Sequence, residues 1–172
     1  MIEDEDYFDS AAQGLRPFSD FEWFAIDSNG HIAFLTSAEF AAIPLVVFRS
    51  KEQYLGCVNY FENLSEQSDY TLRQDVSYKL TSWINAAKCG LFAYDWDCGL
   101  GWYETGKPYR LLVSPNKPLI FSELPSEVQE YLLPIRFTSV NFADAKELFL
   151  ETKFPDNNWS MLDRNPKNED TS

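Results

Sequence analysis

Among 172 residues there is a single histidine, His31, and that scarcity removes much of the ordinary repertoire of acid–base and zinc chemistry. His31 closes an Asn29-Gly30 turn with no matched nucleophile near it in sequence, so it reads as a strand-end histidine rather than a general base. Cysteine is also sparse. Cys57, Cys89 and Cys98 are odd in number and form no CxxC pair, which predicts free thiols in a reducing compartment and neither a disulfide framework nor a zinc site. Cys57 and Cys89 read as small buried hydrophobes, and Cys98, beside Gly99, as the reachable thiol. Cations are few, 14 Lys and Arg against 27 Asp and Glu, for a net charge of −13. That balance argues against DNA or RNA as a ligand, because phosphate neutralisation drives such binding. The longest apolar run, Phe40 to Phe48, is broken by Pro44 and too short to span a bilayer. The amino terminus carries acids where a secretory leader carries basic residues, so the expectation is a cytoplasmic protein without a membrane partner. No motif implies a cofactor.

Aromatic residues, by contrast, are abundant, with 14 Phe, 9 Tyr and 5 Trp. A chain of this length is expected to form one domain and to bury roughly two thirds of the surface its unfolded form exposes, so many of these rings belong to a core. The composition divides the chain into an acidic arm over 1–20, a single α+β domain over 21–154 and a polar tail over 155–172.

Strands are predicted on either side of Ser28-Asn29-Gly30, from Phe21 to Asp27 and from His31 to Thr36, as a hairpin partly covered on both faces. A connection through Ile43 to Phe48 has the character of a short strand. Ser50-Lys51-Glu52-Gln53 has the form of a capping box, and Tyr54, Cys57, Val58, Phe61 and Leu64 follow at helical spacing. Thr71-Leu72-Arg73-Gln74 offers a second box for a longer helix with Leu72, Val76, Leu80, Ile84 and Ala87 as its buried stripe, ended by Gly90. Strands follow at Leu91 to Trp96, Trp102 to Glu104 and Tyr109 to Val113. A short helix runs from Pro125 to Leu132 or Leu133, and a last strand from Ile135 to Phe142. The order ββααββαβ predicts a mainly antiparallel sheet with two consecutive helices and a third short one.

Acidity combined with exposed rings favours binding over chemistry. From Tyr94 to Glu104 the rings of Tyr94, Trp96, Trp102 and Tyr103 alternate with Asp95, Asp97 and Glu104 around a glycine-rich turn, a composition suited to lysine and arginine through cation–π contact and ion pairing. The competing reading makes these rings core and the acids a solvated rim. A second acidic zone, Glu62, Glu66 and Asp69 with Asp75, surrounds the turn between the predicted helices, where an ordinary solvated face is the alternative. Asp95 and Asp97 could also hold a metal for an enzyme, but Gly106 stands where a calcium loop begun at Asp95 needs its bidentate glutamate.

The hairpin Trp23-Phe24-Ala25-Ile26-Asp27-Ser28-Asn29-Gly30-His31-Ile32-Ala33, the segment Gly90-Leu91-Phe92-Ala93-Tyr94-Asp95, and Pro108-Tyr109-Arg110 followed by Pro118-Leu119 and Leu124-Pro125 together resemble bacterial immunity proteins, the partners of secreted polymorphic toxins. The resemblance implies a cytoplasmic inhibitor without catalytic residues that binds one cognate toxin domain, and a nuclease whose basic cleft complements an acidic surface is one such toxin. A regulatory or structural interaction domain is the alternative, and a metal-assisted enzyme using Asp95 and Asp97 the third.

Overall fold

Strands β1 (Glu22–Ile26) and β2 (Ile32–Thr36) flank the Asn29-Gly30 turn in a computed structural model that describes residues 5–13, 21–38, 41–96 and 107–150. They pair antiparallel, from Glu22↔Thr36 to Ile26↔Ile32. The backbone N–H of Asp27 donates to the His31 carbonyl at 3.0 Å, closing a three-residue connection whose last member, Gly30, takes a φ of 79°. A left-handed residue at that position matches the connection to the twist of the strands, and glycine adopts it without strain.

Four further strands, β3 (Tyr70–Leu72), β4 (Phe92–Trp96), β5 (Tyr109–Pro115) and β6 (Glu147–Leu148), complete a six-stranded sheet in the order β1-β2-β4-β5-β3, with β6 also on β5. Four α-helices accompany it among the described residues, α1 (Glu5–Ala12), α2 (Lys51–Glu62), α3 (Thr81–Lys88) and α4 (Ser126–Leu132). The class is α+β and the curled sheet is mostly antiparallel; among the described strand pairs only β2–β4 is parallel, an arrangement that the long connection between them permits.

Alternation along the strands separates two faces. Glu22, Phe24, Phe34 and Thr36 face α2 and α3, with the Phe24 ring stacked at 4.6 Å on Phe61 of α2. Trp23, Leu35 and Tyr94 face the other way, under the segments 41–44 and 140–148. There the Tyr109 hydroxyl donates to the Ala42 carbonyl at 2.7 Å, and the Tyr94 hydroxyl to that of Ala145 at 2.7 Å. Trp23, Tyr94, Tyr109, Tyr131, Phe21, Phe137 and Phe142 are fully buried, so the rings form the core. Each contributes on the order of 1.5–3 kcal/mol of burial, and the hydroxyls keep a partner.

The helix termini follow their sequence signals. The Ser50 side chain accepts from the Gln53 amide at 3.2 Å and starts α2. Gly90 ends α3 with a φ of 97°, and a Cβ there would lie 2.7 Å from the Leu119 nitrogen, whose N–H donates to the Gly90 carbonyl. Glycine is needed both for its backbone and for its missing side chain. Arg49 donates to the carbonyls of Glu130 and Tyr131 at the end of α4, with its guanidinium 4.9 Å from the centre of the Tyr131 ring.

Several sequence expectations change. The arm over 1–20 contains α1, which buries Phe8 and Ala11 against Phe48 and Tyr54, because Phe8 and Ala11 share a helix face that the surrounding acids obscure. No helix starts at Thr71. Residues 70–72 are strand β3, paired with 113–115, and α3 begins at Thr81, so α2 and α3 are not consecutive. Leu72, placed by its spacing on a buried stripe, is instead 54% exposed. The connection at 43–48 holds a short 3₁₀ helix, Leu45–Phe48, rather than a strand. The segment from Ile135 to Phe142 makes one parallel bridge, Ile26↔Arg136, and turns, and the last strand is β6. The predicted strand Trp102 to Glu104 and the tail over 155–172 lie outside the described residues.

Candidate functional site

The predicted binding surface around Tyr94 changes character in the structure. Tyr94 is fully buried and Trp96 is 6% exposed, so neither ring is a surface anchor. Alternation put Phe92, Tyr94 and Trp96 on one face correctly, but that face is the one roofed by 140–148. Burial, with Asp27 nearby, pushes the Tyr94 phenol far above its ordinary range, so it acts as a neutral donor. Asp95 points to the opposite face, where it accepts from Thr36 Oγ1 at 2.7 Å and from the Tyr78 hydroxyl at 2.8 Å. Trp83 Nε1 donates in turn to Thr36 Oγ1 at 3.0 Å, so Asp95 helps fasten the 73–80 segment and α3 to the sheet. Asp97, Trp102, Tyr103 and Glu104 lie outside the described residues.

Glu62, Glu66 and Asp69 are all exposed, and the first two stand on the rim of a groove between α2 and α3. Its volume is about 410 Å³. Phe24 and Phe34 rise into it from the hairpin, and Val58 and Phe61 from α2 form one wall. Ala86 and Cys89 from α3 form the other, three residues apart on the helix face that also carries Ser82. Ser82 and Asn85 also line the groove, and three carboxylates, Glu22, Glu62 and Glu66, border it. Glu66 lies 3.5 Å from Lys88 Nζ, an exposed pair worth little, on the order of 0–1 kcal/mol. The Cys89 thiol donates to the Leu64 carbonyl at 3.4 Å, and burial first and Glu66 second push its pKa up, so it stays a thiol in the physiological range.

A groove of mixed apolar and polar lining, bordered by carboxylates, accepts an apolar stem with a cationic head, the shape of a lysine or arginine side chain or of a basic amphipathic segment. Glu22 and the two phenylalanines were not singled out in the sequence. The signal was present: Glu22, Phe24 and, across the turn, Phe34 alternate onto one face of the predicted hairpin. What was missing was the position of α3 opposite α2.

His31 belongs to a different constellation. Asp27 is fully buried, and its Oδ1 accepts from the amides of Asn29 at 2.8 Å and His31 at 2.9 Å. Oδ2 accepts from the Phe142 amide at 2.7 Å and faces His31 Nδ1 at 3.2 Å. Ser28 donates to the Val140 carbonyl at 2.7 Å. Asp27 and Ser28 therefore hold the turn and the segment 140–142, and the Gly30 carbonyl accepts from the Phe121 amide at 2.7 Å, so these bonds of the constellation are structural.

Among the described residues no group of three or more His, Cys, Asp or Glu could hold a metal ion, and no helix is long and apolar enough to cross a membrane. Cys57 and Cys89 are free. No family model matches the chain, and comparisons with curated proteins and with solved structures give no significant match.

Proposed function

We propose that this protein works by docking, as an immunity-type inhibitor in the bacterial cytoplasm that neutralises a basic toxin domain without performing chemistry of its own. The observation that carries the reading is the groove between α2 and α3, where Glu22, Glu62 and Glu66 edge an interior of Phe24, Phe34 and Phe61. A net charge of −13 supports it from a distance, since an acidic field raises the encounter rate with a cationic partner while contacts in the groove retain it. The partner would present a lysine or arginine, flanked by apolar residues, into the trough. A toxin acting on nucleic acid has such a basic surface at its substrate cleft, and covering it would block the substrate.

Co-expression with the toxin encoded beside this gene tests the proposal. The native protein is expected to rescue growth and to form a complex whose association slows as salt rises. The double variant Glu62→Arg, Glu66→Arg is expected to slow association by about tenfold or more at low salt and to weaken rescue. Rescue that fails against every neighbouring toxin removes the immunity reading, and binding to a different basic protein would then place this chain among regulatory interaction domains. Binding indifferent to the two reversals removes the groove.

A further inference from the structure

We propose that β3 is a self-association edge, through which two copies of the chain join their sheets about a two-fold axis at Thr71. The argument uses no residue of the groove and stands apart from the docking proposal.

It begins with which backbone groups of β3 are already used. The Asn116 amide donates to the Asp69 carbonyl at 2.8 Å, the Arg73 amide donates to the Leu112 carbonyl at 2.8 Å, and Thr71 stands opposite Ser114. Residues 69, 71 and 73 therefore turn their polar groups toward β5, and by the alternation of an antiparallel ladder Tyr70 and Leu72 turn theirs away. Both side chains are exposed, Tyr70 at 38% and Leu72 at 54%. The opposite end of the sheet is treated differently. There the Ile26 amide donates to the Ile135 carbonyl at 3.0 Å and the Phe137 amide to the Ile26 carbonyl at 2.8 Å, and the Glu22 carbonyl accepts from the Tyr54 hydroxyl at 2.8 Å, so both ends of β1 are engaged by the chain itself. An edge with outward donors, outward acceptors and exposed apolar side chains is a template for another strand.

The sequence of this edge, Asp69-Tyr70-Thr71-Leu72-Arg73, says which strand. Placed antiparallel on itself about Thr71, it sets Tyr70 opposite the partner's Leu72 and Leu72 opposite the partner's Tyr70. Those are the residues with outward polar groups, so both pairs close a double backbone hydrogen bond, and each brings an aromatic ring beside an aliphatic chain. On the other face, Asp69 then stands opposite the partner's Arg73, and Arg73 opposite the partner's Asp69. Both residues are exposed; the Arg73 Nε donates across to Ser114 Oγ of β5 at 2.8 Å, which leaves the terminal guanidinium nitrogens to meet the partner's Asp69. The charges cancel within this short segment, unlike those of the groove rim, and cancel pairwise only in this register. A self-complementary patch of that kind is the mark of a two-fold interface.

Sedimentation equilibrium of the full chain, from micromolar to millimolar concentration, is expected to show a reversible dimer. Leu72→Pro removes an outward donor without breaking a β3–β5 bond, and proline is tolerated at such edge positions, so this variant is expected to be monomeric with an unchanged circular dichroism spectrum. Asp69→Arg and Arg73→Asp, taken singly, oppose like charges and should each weaken the dimer on the order of tenfold, whereas the two together exchange the charges and should restore it. A chain that stays monomeric throughout overturns the proposal, as does a dimer insensitive to the single reversals. Single reversals that weaken the dimer without rescue by the exchange overturn the register. Should Leu72→Pro fail to fold, the charge exchange decides alone.

Discussion

Asp27 and the pair Glu62 and Glu66 are carboxylates of one acidic chain in opposite circumstances. Asp27 is sealed from solvent and accepts three backbone amides while facing the His31 ring, so its charge is consumed in joining the hairpin to residues 140–142. Glu62 and Glu66 hold exposed heads over a trough of phenylalanines, and the pairing of Glu66 with Lys88 is a surface contact. The first carboxylate is structural because its lone pairs are occupied; the other two are available to a partner. Net charge alone does not tell them apart, and hydrogen-bond accounting does.

The largest effect that tests this contrast is on stability. Asp27→Ala strands the buried amide of Phe142 and leaves those of Asn29 and His31 without their acceptor, for an expected loss of about 3 kcal/mol in urea unfolding. Removing both rim charges with Glu62→Gln and Glu66→Gln is expected to change stability by less than about 0.5 kcal/mol. If the rim pair cost as much as Asp27, the division between occupied and available carboxylates would fall.

Next in size is Gly90→Ala, at the end of the helix that forms one wall of the groove. The new Cβ would meet the Leu119 backbone nitrogen at 2.7 Å, in a left-handed conformation that alanine resists. The expected loss is about 2 kcal/mol or more by urea unfolding, opposite in sign to the gain of roughly 0.4–1 kcal/mol that alanine gives at a glycine whose backbone it can adopt. A neutral or stabilising result would mean that the loop from Pro118 to Leu119 is not packed against α3 as described.

Which parts of this molecule the sequence revealed follows from the range of the forces involved. The hairpin, the Ser50 cap, the short α4 before Pro134 and the Gly90 stop all depend on neighbours within a few residues, and each was legible. Strand β3 was not. Leu72, Val76 and Leu80 have helical spacing, yet Thr71 and Leu72 are strand because the facing residues Val113 to Pro115 supply a ladder from far along the chain. The same distance hid the groove. Glu62 and Glu66 were legible as acids around the turn that follows a helix, but the groove beside them is assembled from β1, β2 and α3 as well as α2, and only the tertiary fold brings these together. Tyr94 and Trp96 show the converse error, since their alternation was clear while the roof over them, residues 140–148, carried too little pattern to be foreseen.

The smallest expected effect sharpens the contrast within the groove itself, through its cysteine. Cys57 is buried on α2 and Cys89 is half-buried on the groove wall, and burial pushes both thiols above their ordinary range. A raised folded pKa means that the thiol keeps its proton where a free one would ionise, so nucleophilic attack is slow at neutral pH and accelerates only as pH climbs beyond the usual thiol range. Iodoacetamide labelling followed by peptide mapping separates the sites, with Cys98 read independently. Cys89 is expected to label slowly in the native protein and Cys57 only on unfolding. Because Glu66 is the second cause of the Cys89 shift, Glu66→Gln should speed Cys89 labelling by about twofold at constant pH while leaving Cys57 unchanged. Bound partner should protect Cys89. Labelling of Cys89 at the rate of a free thiol, with or without Glu66, would mean that Cys89 is not held half-buried in the groove wall and that Glu66 does not bear on it.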